Sequence, residues 1–74
     1  MLLSQTKRGQ AVTVEELVCA VSKQRLLDLG IFKGTKIKVK GFAPLGDPMI
    51  IEVGDSEIAL RKSDAKNILV EAGV

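Results

Sequence analysis

The fold of this chain depends on residues 25–47, which read RLLDLGIFKGTKIKVKGFAPLGD. This stretch predicts a short helix that ends at Gly30, a turn, a half-buried strand and a stiff loop. The strand is the clearest part, because Thr35, Ile37 and Val39 alternate with lysines and so share one face. The segments on either side are short, and we expect them to pack against this stretch.

The residues before this stretch predict a strand and the start of the helix. In residues 10–15, valines alternate with polar residues, which is typical of a strand. Residues 16–21 fit either an apolar helix stripe or a continuation of the strand, and both alternatives stay open. Ser22 is a favourable N-cap for a helix that runs through Leu29, with Leu26 and Leu29 on one face.

The residues after this stretch predict a β-hairpin. Residues 49–53 and 56–60 are two strand-like runs, and Gly54-Asp55 between them is a typical two-residue link. A link of that length determines which residues face each other across the ladder. The expected pairs are Met49 with Leu60, Ile51 with Ile58, and Glu52 with Glu57, the last an unfavourable pair of like charges that neighbouring lysines would relieve.

The C-terminal part predicts one more helical turn and one more strand. Ser63 is placed to cap a turn over residues 64–66, and residues 68–70 form a short closing strand. Five short strands and one helix predict a single, mainly β domain over residues 1–74, curled into a small SH3-like, partly open barrel. A five-stranded OB-type barrel is the runner-up; its characteristic helix lies between the third and fourth strands, which fits less well.

Composition excludes several classes of protein. Hydrophobic residues make up 46% and charged residues 27% of the chain, and the formal net charge of +2 is too weak to indicate nucleic-acid binding. The single Cys19 has no partner for an internal disulfide, which predicts a reducing compartment, and we expect its thiol to pack as a small hydrophobe. Residues 1–8 resemble neither a signal peptide nor a membrane span, so we expect a cytosolic protein without direct membrane insertion.

Catalysis is not expected, because the chain contains no histidine, the commonest general base. We also expect no cofactor and no resident metal, since one cysteine cannot build a zinc site and no phosphate-binding glycine loop is present. The lysines at positions 36, 38 and 40 fit a solvated face better than a phosphate-binding row. Four carboxylates fit either solvated turns and strands or a weak site for a hard cation: Asp47, Glu52, Asp55 and Glu57.

The loop that reads Ala43-Pro44-Leu45-Gly46-Asp47-Pro48 has two interpretations. As scaffold, it is a stiff crossover with Leu45 folded back onto the barrel. As a functional element, it is a preorganised docking surface, because two prolines reduce the entropy lost on binding and Leu45 offers an apolar anchor. The residues alone leave both interpretations open.

Three motifs together resemble a known family. They are RLLDLGIFKGT at residues 25–35, APLGDP at residues 43–48 and IALRK at residues 58–62. In this order and spacing they resemble the FeoA family of bacterial ferrous iron transport accessory proteins, most closely from residue 24 to residue 70. The resemblance implies a small cytosolic SH3-like domain without enzymatic activity.

The resemblance also implies a partner and a surface. The partner is FeoB, the membrane iron transporter with a cytosolic GTP-binding domain, which would recruit this chain to the inner face of the membrane. The matching positions that we expect to contact it are residues 43–48 together with Leu60 and Arg61, whereas Arg25 and Gly30 would hold the helix and its turn. The alternative is a metal-responsive regulatory module of the type fused to iron-dependent repressors; self-association is left open.

Overall fold

The computed structural model describes residues 1–18 and 20–72. In this part of the chain, one turn of 3-10 helix over Leu3–Gln5 precedes five strands and two α-helices. Their bounds are β1 Ala11–Leu17, α1 Ala20–Asp28, β2 Lys36–Phe42, β3 Met49–Val53, β4 Ser56–Leu60, α2 Lys62–Ala65 and β5 Ile68–Ala72. Within the same described residues, no helix is long and apolar enough to cross a membrane.

The five strands form one antiparallel sheet in the order β4-β3-β2-β1-β5. The last strand closes onto the first, since β5 pairs with β1. Register shifts between Val14 and Glu16 of β1 and between Val39 and Gly41 of β2 mark bulges, which bend a strand and increase its twist. This open, curled sheet is the mainly β architecture that was predicted, and α1 lies between the first two strands, not where an OB-type barrel would place it.

The β3–β4 hairpin has the register expected from its two-residue link. Met49 lies opposite Leu60, Ile51 opposite Ile58, and Glu52 opposite Glu57. Lys38 of β2 lies opposite Glu52 on its other side, where a lysine was expected to relieve the two like charges. The link therefore predicted the pairing of both strands correctly.

The core lies under one face of the sheet and follows the period-two pattern of the strands. Ile37 and Val39 of β2 are buried, whereas the lysines at positions 36, 38 and 40 are exposed. Aliphatic side chains fill almost the whole interior, as the shortage of aromatic residues requires. The buried hydrophobic residues are Leu3, Val12, Val14, Leu26, Ile31, Ile37, Val39, Met49, Ile51, Leu60, Ala65, Ile68 and Val70.

The C-terminal end of α1 is set by Gly30. The amide of Ile31 donates to the carbonyl of Leu26 at 2.8 Å, and the amide of Gly30 donates to the carbonyl of Leu27 at 3.0 Å. This is the Schellman motif, and Gly30 supplies its left-handed residue with φ +86°. Leu26 is buried, whereas Leu29, which was expected on the same face of the helix, is 40% exposed. Ile31 is buried in its place, because the motif turns the chain back over the helix end.

The junction between β1 and α1 differs from the prediction. The strand continues through Leu17, two residues further than expected, and the helix begins at Ala20 instead of Ser22. Of the ambiguous residues, Glu16 and Leu17 thus belong to the strand, and Ala20 and Val21 belong to the helix. Cys19, predicted to pack as a small hydrophobe, lies outside the described residues.

Candidate functional site

The loop over residues 43–48, which connects β2 to β3, is closed by two backbone hydrogen bonds. The amide of Ala43 donates to the carbonyl of Pro48 at 2.9 Å, and the amide of Gly46 donates to the carbonyl of Ala43 at 2.7 Å. The second bond closes a four-residue turn in which Pro44 occupies the position that favours its fixed φ. Gly46 has φ +86°, a conformation that side chains rarely adopt. The 43–48 loop therefore has a defined shape at the surface of the protein.

Leu45 projects from this turn into solvent. Its side chain is 96% exposed, whereas the next most exposed large hydrophobic residues among those described are Val18 at 59% and Phe32 at 52%. The interpretation in which Leu45 folds back onto the barrel is therefore wrong. Covering such a side chain with a partner would contribute about 1.5–3 kcal/mol.

Asp47 fastens the loop to α2. Its Oδ1 accepts a hydrogen bond from the amide of Lys62 at 2.9 Å. Lys62 is the first residue of α2, and the first amides of a helix have no acceptor within the helix. The Asp47 carboxylate thus caps α2 from outside the helix. The prediction that Ser63 caps this turn was wrong, since Arg61 holds the N-cap position.

The Lys62 side chain lies against the same loop. Its Nζ is 5.8 Å from the centre of the Phe42 ring, within the range of a cation–π interaction. A Cβ added at Gly46 would come within 3.3 Å of this Nζ. Sequence reasoning did not single out Lys62, although it lies in the third motif directly after Arg61. Its main chain and its side chain both hold the 43–48 loop.

The two remaining predicted contact residues separate in the structure. Arg61 is exposed beside the base of the loop. Leu60 is only 1% exposed and faces Met49 inside the core. A partner therefore has access to Arg61, and we place Leu60 in the core instead of in the contact surface.

An ion pair joins the two helices beneath the site. The Arg25 guanidinium of α1 donates to a carboxylate oxygen of Asp64 in α2. Asp64 is 7% exposed, so this contact compensates a charge that is almost buried. Arg25 thus has the structural role that the resemblance implied. Asp64 was not predicted, because 39 residues separate the two and no local spacing indicates their contact.

The four carboxylates named as a weak cation site do not gather in one place. Asp47 precedes β3 and Asp55 follows it, at opposite ends of that strand. Only Glu52 and Glu57 face each other directly. In the part of the chain that the structure describes, no group of three or more His, Cys, Asp or Glu side chains is placed to hold a metal ion.

A second apolar surface lies between α1, β1 and β5. It is a groove of about 590 Å³ whose apolar residues are Leu17, Leu27, Phe32 and Leu69. Its charged residues are balanced, with Glu15 and Glu16 against Lys23 and Lys33. The groove therefore has no single projecting side chain like Leu45 of the 43–48 loop.

Comparison with known proteins identifies the family. The family model described as the FeoA domain matches residues 1–72. The chain belongs to the FeoA family. A solved FeoA-like protein from Clostridium acetobutylicum is 35% identical with a TM-score of 0.94, and the match covers 100% of this chain and 87% of that one.

Two further relatives bear on fold and partner. FeoA from Stenotrophomonas maltophilia, solved in complex with zinc and described as an SH3 domain protein, is 32% identical with a TM-score of 0.81; the match covers 96% of this chain and 89% of that one. This confirms the predicted SH3-like fold. In Porphyromonas gingivalis, an Fe(2+) transport protein A/Fe(2+) transporter FeoB fusion protein is 39% identical over 72 residues, which are 96% of this chain and 8% of that protein.

Proposed function

We propose that this chain is a non-enzymatic cytosolic accessory protein that binds the FeoB transporter through the 43–48 loop and modulates ferrous iron uptake. The observation that carries the proposal is the 96% exposure of Leu45 on a loop that hydrogen bonds hold in place. An ordered loop loses little conformational entropy on binding, so more of the contact energy is available for affinity. FeoB would hold the chain at the inner face of the membrane.

The fused relative supports the choice of partner. In Porphyromonas gingivalis a segment similar to almost all of this chain is joined covalently to FeoB. Two domains that work together profit from such a link, because it raises their effective concentration to the millimolar range. For a chain that is not joined to the transporter, a docking surface would take over this task.

The absence of histidine supports a binding role over catalysis. A general acid or base that works near neutral pH is most often histidine, and this sequence has none. The four candidate carboxylates are spread along the β3–β4 hairpin and do not form a catalytic cluster. A chain of this kind would act on iron uptake through contact with the transporter.

The test measures binding to full-length FeoB of the same organism in nanodiscs, with GTP, with GDP and without nucleotide. The Leu45→Asp variant is expected to weaken binding at least about 30-fold, which corresponds to about 2 kcal/mol for a central contact residue. Leu29→Asp serves as the control, because Leu29 is 40% exposed just after α1 and is not part of the 43–48 loop. It should bind as the unmodified chain does.

Two outcomes would contradict the proposal. If the chain binds FeoB in none of the three nucleotide states, association with the transporter is refuted. If Leu45→Asp binds as tightly as Leu29→Asp, the contact lies elsewhere on the molecule. Modulation itself is tested by ferrous iron uptake in cells that carry the Leu45→Asp variant, in which uptake should fall to the level of the deletion strain.

A further inference from the structure

Four cationic residues lie at or next to the strand and helix ends that carry the 43–48 loop, and we call them the basic collar. Lys62 touches the loop, since its Nζ would meet a Cβ at Gly46 at 3.3 Å. Arg61 is exposed directly before it. On the β2 side, the Nε of Arg8 would lie 3.8 Å from a Cβ at Gly41, and Lys40 is exposed at the bulge just before that glycine.

The carboxylates nearest in sequence do not neutralise the collar. Asp47 belongs to the loop, and its carboxylate offsets only one of the four positive charges. Glu52, Asp55 and Glu57 lie toward the opposite end of the β3–β4 hairpin. At about 3.3 Å per strand residue, Glu52 is roughly 10 Å beyond Met49, about one Debye length at physiological salt. The loop end of the hairpin therefore carries an excess of positive charge, whereas near its turn end Lys38 of β2 lies opposite Glu52.

An apolar side chain inside a ring of positive charge specifies the chemistry of its partner. Leu45 needs an apolar pocket about one side chain wide, and the collar needs negative charge around that pocket. We infer that the loop docks into an apolar pocket on the cytosolic part of FeoB whose rim carries Asp and Glu side chains, and that the basic collar pairs with this rim. The inference rests on the proposed function and specifies the surface that FeoB must present.

A protein pocket fits these observations better than an anionic lipid surface. Stable anchoring in a bilayer takes a large apolar insertion or two separate signals, and here one leucine would enter. The loop is also held by the Ala43, Gly46 and Asp47 hydrogen bonds, so Leu45 is presented in one orientation. One orientation is an advantage toward a preformed pocket and of no use toward a fluid membrane.

The experiment compares two charge reversals against full-length FeoB in nanodiscs of zwitterionic phosphatidylcholine. Arg61→Glu alters the basic collar at the loop end of the sheet. Lys33→Glu makes the same charge change just before β2, at the end of that strand opposite the loop. Both side chains are exposed, and roughly 20 Å of strand separates the two ends. Far-UV circular dichroism confirms that each variant is folded before binding is measured.

Three results are expected. Between 50 and 200 mM NaCl the association rate of the unmodified chain should fall by about tenfold. At 50 mM NaCl, Arg61→Glu should lower that rate by about tenfold, whereas Lys33→Glu should change it by less than about twofold. At 500 mM NaCl the two variants should differ by less than about twofold, because salt screens exposed charges.

Three results would overturn the inference. Equal effects of Arg61→Glu and Lys33→Glu at 50 mM NaCl would show that the basic collar does not contribute to binding of FeoB. If Leu45→Asp still abolished binding in that case, the proposed function would stand without the inference. Co-sedimentation with phosphatidylglycerol vesicles, lost in Leu45→Asp, would identify lipid as the occupant. If even the unmodified chain does not bind FeoB at 50 mM NaCl, the proposed function and the inference fall together.

Discussion

The two ends of β3 are connected to the rest of the sheet in very different ways. At one end, Gly54 and Asp55 alone join β3 to β4, with both residues exposed and φ +61° at Gly54, as a tight hairpin turn requires. At the other end, the six residues of the 43–48 loop join β2 to β3, although the flanking Phe42 and Met49 are direct partners in the ladder. Both connections reverse the chain between antiparallel neighbours.

The difference between the two connections shows which features of a connection folding requires and which it does not. A two-residue turn is sufficient to connect neighbouring strands of this sheet. The 43–48 loop adds a fully exposed leucine and an external cap on α2, and neither is needed to reverse the chain. This excess over a simple connection is the physical basis for placing the interaction site at the loop end.

The largest expected effect on stability is a difference between substitutions at the two ends of β3. Met49 is fully buried next to the loop, so Met49→Ala should lower the free energy of unfolding by about 2–4 kcal/mol through the cavity it leaves. Val53, next to the turn, only packs against the edge of the core, and Val53→Ala should cost about 1 kcal/mol. Urea denaturation followed by far-UV circular dichroism measures both, since the chain has no Trp or Tyr fluorophore. Equal losses would mean that the two ends are equally buried in solution.

A second pair compares the glycines of the two connections. Gly54→Ala should cost about 1 kcal/mol, because it places a side chain at positive φ while its Cβ meets no described atom within 4 Å. Gly46→Ala bears the same strain and also displaces the Lys62 ammonium, so a loss of about 2 kcal/mol is expected. The same denaturation measurement applies. A larger loss at Gly54 would refute the contact between Lys62 and the loop.

A third pair compares the aspartates. Asp47→Ala removes the cap of α2 and should lower the free energy of unfolding by about 1 kcal/mol. Asp55→Ala changes an exposed turn residue and should stay within about 0.5 kcal/mol. Thermal unfolding of both variants beside the unmodified chain would detect the difference. Identical melting temperatures would exclude the capping role of Asp47.

The smallest effect is expected at the most exposed side chain. Leu45→Ala should leave the free energy of unfolding within about 0.5 kcal/mol of the unmodified value, because the leucine packs against almost nothing. Denaturant titration is again the measurement. A loss of more than 1 kcal/mol in the free energy of unfolding would show that Leu45 stabilises the fold, and it would remove the contrast between the two ends of β3.

Elements with strong local rules were predictable from the sequence. The two-residue link determined the register from Met49–Leu60 to Glu52–Glu57, and the alternation of Ile37 and Val39 with lysines identified the buried face of β2. The helix before Gly30 was also expected. The burial of Ile31 in place of Leu29 was not expected, because it depends on the Schellman motif that turns the chain back over the helix end.

The candidate site was harder to predict from the sequence, because its key contacts join distant parts of the chain. The bond from Lys62 to Asp47 spans 15 residues and the Arg25–Asp64 pair spans 39, so no local spacing reveals either of them. The resemblance grouped Leu60 and Arg61 with the loop as partner contacts, and for the exposed Arg61 this stays a prediction. The expected hairpin register already paired Leu60 with Met49, and both residues are buried.

The bond from the Lys62 amide to the Asp47 carboxylate turns one backbone proton into a reporter of the loop. Exchange of this proton with solvent deuterium requires the loop to lift from α2, so its protection factor measures how often the loop opens. A partner that holds the loop shut should slow this exchange, whereas the Gly54–Asp55 turn at the far end of β3 would be unaffected. The resonance of the Lys62 amide in a two-dimensional NMR spectrum thus reports docking of the loop, without a label on either molecule's surface.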